Sequence, residues 1–391
     1  MRTGCGLRTV VKILEVFSEV LGKNFGKSPC YNTVENWIKK LGLSVYQPCK
    51  GKKFAMVMDE SIAINGQKLL LALAIPSEHQ DRPVKHEDVT VLNMTVGANF
   101  KGEDIENKIS EVTISAGSEP QYVISDNAHN RVRGILDSGY VHYADISHSM
   151  GVTLKKVYEK QPDFVELTTL LGKKRLQYHL TNKAYLLPPN MRTIARFMNM
   201  SEWVIWGNSM LACYNKLPKE MQEAYAFIND YESLLQELMD ALDAIRHIEH
   251  ICKNKGFSCK TSKECQSYIV AHVIGNAYPR QAHLGLKMLE YFRKEEAQLT
   301  EDMNICISSD IIESTFGIYK SKKSPNKLYG ITPFALMIPL YPKVVNESVT
   351  KTFNFKERLV NVKLKDIDAW TTEHLSKNWV TERTKTLKQV S

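Results

Sequence analysis

Lys53-Phe54-Ala55-Met56-Val57-Met58-Asp59 is a strand-sized apolar run that ends on an acid. Tyr122-Val123-Ile124-Ser125-Asp126-Asn127-Ala128-His129-Asn130 has the same form: a short β-branched and aromatic run, an acid, then the start of a helical pattern. Carboxylates placed at the ends of neighbouring strands can converge on a pair of divalent cations. Such a pair activates a water or a 3′-hydroxyl and clamps a phosphodiester during in-line displacement. A third acid, Glu313, opens the helical stretch Ile311-Ile312-Glu313-Ser314-Thr315-Phe316.

The segments around the first two acids predict one sheet. Strands are expected at 53–58 and 68–75, joined through Asn65-Gly66, a hairpin dipeptide. A third follows at 89–96. Residues 102–116 read as a helix with Ile105, Ile109 and Val112 on one face. A strand at 121–125, a short helix at 129–137 and a strand at 140–146 complete the set. Three antiparallel strands followed by crossovers is the order β-β-β-α-β-α-β.

Beyond Ser147 the strand pattern stops. Helices are expected at 148–160, 162–174, 191–213, 217–253, 261–274 and 279–297. The segment 217–253 is too long for one plain helix, so a break is expected inside it. The tail, 343–391, is mixed and basic, with weak strand character at 359–364. At the other end, residues 7–21 show helical periodicity and Gly22 and Gly26 end that helix. A second helix is expected from Tyr31 to Leu41, stopped by Gly42. Its polar face carries Thr33, Asn36, Lys39 and Lys40. Two short helices, the second basic, form a helix-turn-helix pattern as well as an ordinary helical hairpin.

Charge narrows the partner. The net charge is +8; residues 1–53 hold ten Lys/Arg against three Glu, and residues 314–346 hold five Lys and no acid. Basic blocks at two places point to a polyanion, nucleic acid first. There is no apolar run of membrane-spanning length, and Glu15 and Glu19 interrupt the first apolar region, so neither a membrane span nor a signal peptide is expected. A cytoplasmic, nucleoid-associated chain follows. The eight cysteines form no CxxC pair, and the spacing of His247, His250, Cys252, Cys259 and Cys265 matches no common zinc pattern.

The order Asp59, Asp126, Glu313, with a basic residue at Lys320 seven positions after the Glu, resembles the DDE transposase and RNase H-like integrase superfamily over roughly residues 30–345. The resemblance implies an α/β fold: an RNase H-like mixed five-stranded sheet with a large all-α insertion and an N-terminal helix-turn-helix. It divides the chain into a DNA-binding 1–50, a first core part 51–147, an all-helical insertion 148–303, a last core part 304–345 and a basic tail 346–391. It implies metal-dependent DNA cleavage and strand transfer with two Mg²⁺ (or Mn²⁺) held by Asp59, Asp126 and Glu313. Asp310, one turn away, competes with Glu313 for the third place.

The same resemblance puts Lys320, Lys322 and Lys323 on DNA phosphates, Asn36, Lys39 and Lys40 on duplex DNA, and His148 of Asp145-Ile146-Ser147-His148 near the scissile phosphate or behind Asp126. Partners are then the element ends and target DNA, and a homodimer or higher oligomer on DNA. The plain readings stand beside these: Asp126 as a turn former or cap for helix 129–137, Asp145 as a cap with a buried His148, and Lys173, Lys174, Arg192 and Arg196 as a solvated face. Trp203 and Trp206 are either base-stacking or core. Two alternatives to a transposase remain: a catalytically inactive, transposase-derived DNA-binding protein, and an RNase H-like nuclease.

Overall fold

The computed structural model describes residues 5–22, 26–46, 52–62, 67–189, 200–324, 329–376 and 379–390. The Asn65-Gly66 turn, Arg192, Arg196 and Lys327 lie outside them. The chain divides into two compact units, one made of Met1–Tyr143 with Ser308–Ser391, the other of Ala144–Ile307.

The first unit is built on a five-stranded sheet. Its strands are β1 (Phe54–Ile62), β2 (Lys68–Ile75), β3 (Thr90–Gly97), β4 (Pro120–Ser125) and β5 (His142–Ala144), in spatial order β3-β2-β1-β4-β5. β1 pairs antiparallel with β2 and parallel with β4, and β2 pairs antiparallel with β3. The sheet is therefore mixed, in an order compatible with an RNase H-like sheet. The near-continuous apolar run of β2, Leu69 to Ile75, reflects burial on both faces. One face, with Met56, Met58, Leu70 and Ala72, meets Ile105, Ile109 and Val112 of helix α3 (Gly102–Ala116) and Ile135 of α4 (His129–Asp137). On the other face, α12 (Asp310–Lys322) lies against β1 and α13 (Met337–Val344) against β3.

Several expected boundaries move. β1 runs on to Ile62, so Asp59 sits inside the strand rather than at its end. The cause is continued pairing with β2 together with an ion pair from Lys68 Nζ to Glu60 Oε2 at 2.8 Å. β5 shrinks to three residues because Asp145 caps the next helix, accepting the His148 N–H. The helix α2 (Tyr31–Val45) continues through Gly42 instead of stopping there. A Cβ at Gly42 would lie 1.8 Å from the Leu336 carbonyl oxygen, so this glycine serves a close approach rather than a stop. The tail has no strand at 359–364; α15 (Phe355–Asn361) and α16 (Leu364–His374) occupy it. These short helices gain their stability by packing on α2, which intrinsic strand preference did not foresee.

The second unit is helical apart from a single bridge between Phe257 and Ile305, among the described residues. Its helices are α5 (Ile146–Tyr158), α6 (Pro162–Tyr178), α7 (Met200–Cys213), α8 (Lys219–Tyr225), α9 (Glu232–Lys255), α10 (Cys259–Tyr268) and α11 (Pro279–Glu296). The break expected within 217–253 is a 3₁₀ segment at Ala226–Tyr231, and α10 passes into a π-helical turn at Ile269–Ile274. A half-buried polar knot ties this unit together: Arg280 bonds the carboxylates of Asp163 and Glu237, and Tyr158 donates to Glu237 at 2.8 Å. Among the described residues, no helix is long and apolar enough to cross a membrane.

Candidate active site

The parallel pairing of β1 and β4 sets Val57 opposite Ile124. Two residues further on each strand stand Asp59 and Asp126, so the register places these acids side by side at the carboxyl end of β4. Asp126 ends its strand and turns the chain into α4: its Oδ1 accepts the Ala128 N–H at 3.0 Å, one residue before the helix begins. The turn-forming role foreseen for Asp126 is thus present, and it leaves Oδ2 for another partner. Asp59 Oδ1 accepts the N–H of Glu60 at 2.7 Å.

That other partner is Arg131, in the first turn of α4. One guanidinium nitrogen bonds Asp59 Oδ1, and the other bonds Asp126 Oδ2 at 2.7 Å. Arg131 is only 5% exposed, and its Nε has no hydrogen-bond partner among the described residues. Sequence reasoning passed over Arg131. The only available signal was its place five residues after Asp126, which puts it on the helix that leaves the acid. The position is held from behind: a Cβ at Gly134 would lie 2.4 Å from the Gly102 carbonyl oxygen, so α4 sits against α3 with no slack.

Burial pushes the Asp59 carboxyl above its ordinary 3.8; Arg131 and the Glu60 N–H oppose that, and the neighbouring Asp126 adds to it. A further buried pair supports the strand ends. Ser125 Oγ and His142 Nε2 lie 2.9 Å apart, joining β4 to β5 directly behind Asp126. Glu60, on the opposite side of β1 from Asp59, is taken by Lys68.

Glu313 is exposed on α12, the helix lying against β1. Helical geometry places Asp310, Glu313, Gly317 and Lys320 along one stripe of α12, with Ser314 at its edge. Asp310, Ile311 and Ser314 line a cavity of about 410 Å³ shared with Lys85, His86 and Glu87. His86 Nε2 is 3.0 Å from Ser314 Oγ, and burial lowers the His86 pKa. Asp310 is among the residues that line this cavity and Glu313 is not. Among the described residues, no three His, Cys, Asp or Glu side chains are gathered closely enough to hold a metal ion, so Glu313 is not brought to the Asp59–Asp126 pair.

The basic residues divide as well. Lys320 is exposed, with its ammonium 5.8 Å from the Phe316 ring centroid. Lys322 and Lys323 are half-buried, and burial and the charge of Lys320 hold the Lys323 pKa low. On α2 the expected DNA-facing side is largely occupied. Lys40 donates to the Leu359 carbonyl at 3.3 Å, Arg358 donates to Ser44 O at 2.9 Å, and Lys39 pairs with Glu35 at 2.5 Å. Asn36 is half-buried. Lys40 thus has one partner on the C-terminal helices.

In the helical unit, His148 is half-buried in the first turn of α5, and its N–H bonds Asp145 Oδ1 at 2.5 Å. Trp203 is core, packed on Phe164 at 5.8 Å, and Trp206 donates to the Leu186 carbonyl at 3.1 Å. Cys252 and Cys265 lie 3.8 Å apart, buried, and His247 stacks on Tyr268. No protein-family model and no curated protein matches the chain.

Proposed function

We propose that the chain is a DDE-type DNA transposase: an RNase H-like core interrupted by an all-helical insertion, with a helix-turn-helix in residues 1–50. The observation that carries this reading is the convergence of Asp59 and Asp126 across the parallel β1–β4 pair, on a sheet ordered β3-β2-β1-β4-β5. The helix bearing Glu313 lies on the strand bearing Asp59, which supports Glu313 as the third acid.

In this reading Asp59 and Asp126 would hold two Mg²⁺ or Mn²⁺, with Glu313, on the helix against β1, drawn in as the third ligand once the ions bind. Hard carboxylate oxygens already directed at one positive group fit such ions. When bound, the ions lower the pKa of the attacking water or 3′-hydroxyl and stabilise the leaving oxygen. The protein's own work is placement. The Val57–Ile124 register fixes two acids; the Ala128 N–H orients Asp126; Lys320, Lys322 and Lys323 bind DNA phosphates. Asn36, Lys39 and Lys40 add contacts to duplex DNA. The active species is a dimer or larger oligomer on element ends and target DNA, in the nucleoid.

A second reading, a transposase-derived protein that holds DNA without cutting it, is favoured by one feature: Arg131 already balances much of the charge on Asp59 and Asp126.

The test uses duplex DNA made from the sequences bracketing the gene, incubated with the full chain and Mg²⁺. A transposase nicks this DNA and joins the freed 3′ ends to a second duplex, and chelation stops both steps. Binding without metal-dependent nicking establishes the second reading instead.

A further inference from the structure

The Asp59–Asp126 pair holds a buried arginine where the proposed function needs cations. Two carboxylate oxygens on adjacent strands point at one guanidinium, which is itself almost wholly enclosed. A single positive charge facing two negative ones leaves the cluster one charge short of neutral. The carboxylates therefore still attract a cation, while their nearest oxygens are engaged. The backbone that carries Arg131 does not move readily, because Gly134 pins α4 against α3. The side chain is long enough to leave by rotation about its own bonds. Its Nε is buried without a hydrogen-bond partner among the described residues, so the present seat satisfies the guanidinium incompletely.

We propose that Arg131 is a displaceable counter-ion: it locks Asp59 and Asp126 together in the cation-free protein and swings out when a divalent cation binds. This rests on the reading of Asp59 and Asp126 as cation ligands. Arg131 is a positioning residue, and its removal has two opposite effects. Without a cation, two like charges stand close together and the fold weakens. With a cation, no competitor remains and binding tightens.

The experiment is a Mn²⁺ titration of the full chain, followed by the loss of the free-ion paramagnetic resonance signal, with Tm measured in parallel. The proteins are wild type, Arg131→Gln, Arg131→Lys and Asp126→Asn. Expected are Mn²⁺ binding by wild type that Asp126→Asn abolishes, and an affinity about tenfold or more higher in Arg131→Gln, the factor by which a competing state taxes binding. Tm of Arg131→Gln falls without Mn²⁺ and rises more than that of wild type on adding it. Arg131→Lys keeps the charge but bridges both acids poorly, so it shifts the affinity in the same direction by less and stands in if Arg131→Gln fails to fold. Unchanged or weaker affinity in the arginine variants, with Asp126-dependent binding intact in wild type, overturns the counter-ion role and leaves the cation site standing. No Asp126-dependent binding in any of the proteins overturns both.

Discussion

The two halves of the candidate site are held in different ways. Asp59 and Asp126 are fixed by a sheet: backbone register, a capped turn and a buried arginine leave each carboxylate one place to be. Glu313 is fixed only by the rotation of a helix that lies against that sheet, on an exposed face. A ladder of backbone hydrogen bonds sets positions to within a fraction of a residue, whereas a packed helix sets a face and leaves its long side chains to find their partners. A site assembled from both kinds of support has a rigid side and an adjustable side.

The largest test of that contrast is at the adjustable side. Glu313→Gln is expected to lower DNA cleavage by more than about 100-fold, beyond the loss typical of a residue that merely supports a metal ligand, and Asp310→Asn by little. Single-turnover cleavage rates measure both. If Asp310→Asn is the inactive one, the cavity shared with His86 belongs to the active site and Asp310, not Glu313, is the third acid.

A smaller effect compares two glycines. Gly134→Ala forces a methyl group into the Gly102 carbonyl and Ile105, and is expected to cost about 1–3 kcal/mol in urea unfolding. Gly317, on the Glu313 face of α12, has open space around it, and Gly317→Ala is expected to be neutral or to stabilise by up to about 1 kcal/mol through helix propensity. Equal costs at the two positions would erase the distinction between a rigid and an adjustable side.

The smallest effect is in pH. The folded Asp59 carboxyl titrates above its ordinary 3.8, so the native state holds this proton more tightly than the unfolded chain. Its contribution to stability therefore declines as pH rises through the window that starts at 3.8 and ends at the raised value. Asp59→Asn removes that decline, so wild type is expected to lose stability relative to Asp59→Asn across the window. Urea midpoints in steps upward from about pH 4 check the slope, and parallel curves refute it.

Much of the sheet was legible because its signals are local. β2, α3 and α4 fall where their apolar periodicity put them, and the order β-β-β-α-β-α-β follows from the alternation alone. The side-by-side placement of Asp59 and Asp126 followed from that order. What escaped was decided by contacts distant in sequence. Gly42 resembles a helix stop, yet it is a helix residue shaped by Leu336. Residues 359–364 favour strand by composition, yet they are drawn into helices against α2. Lys40 also meets the Leu359 carbonyl of α15, a partner far along the chain that no local pattern announces. Arg131 left almost no trace, because its meaning depends on β1, which lies some 70 residues earlier in the chain.

The central claim is that Asp59 and Asp126 act as one cation-holding unit in DNA cleavage. Single-turnover nicking of gene-flanking DNA, compared among wild type, Asp59→Asn, Asp126→Asn and the double variant, tests it most directly. The account predicts that each single variant loses more than about 100-fold and that the double variant is scarcely worse than either, as for groups that work as a unit. A single variant that keeps the wild-type rate would contradict it, as would losses in the double variant that simply multiply.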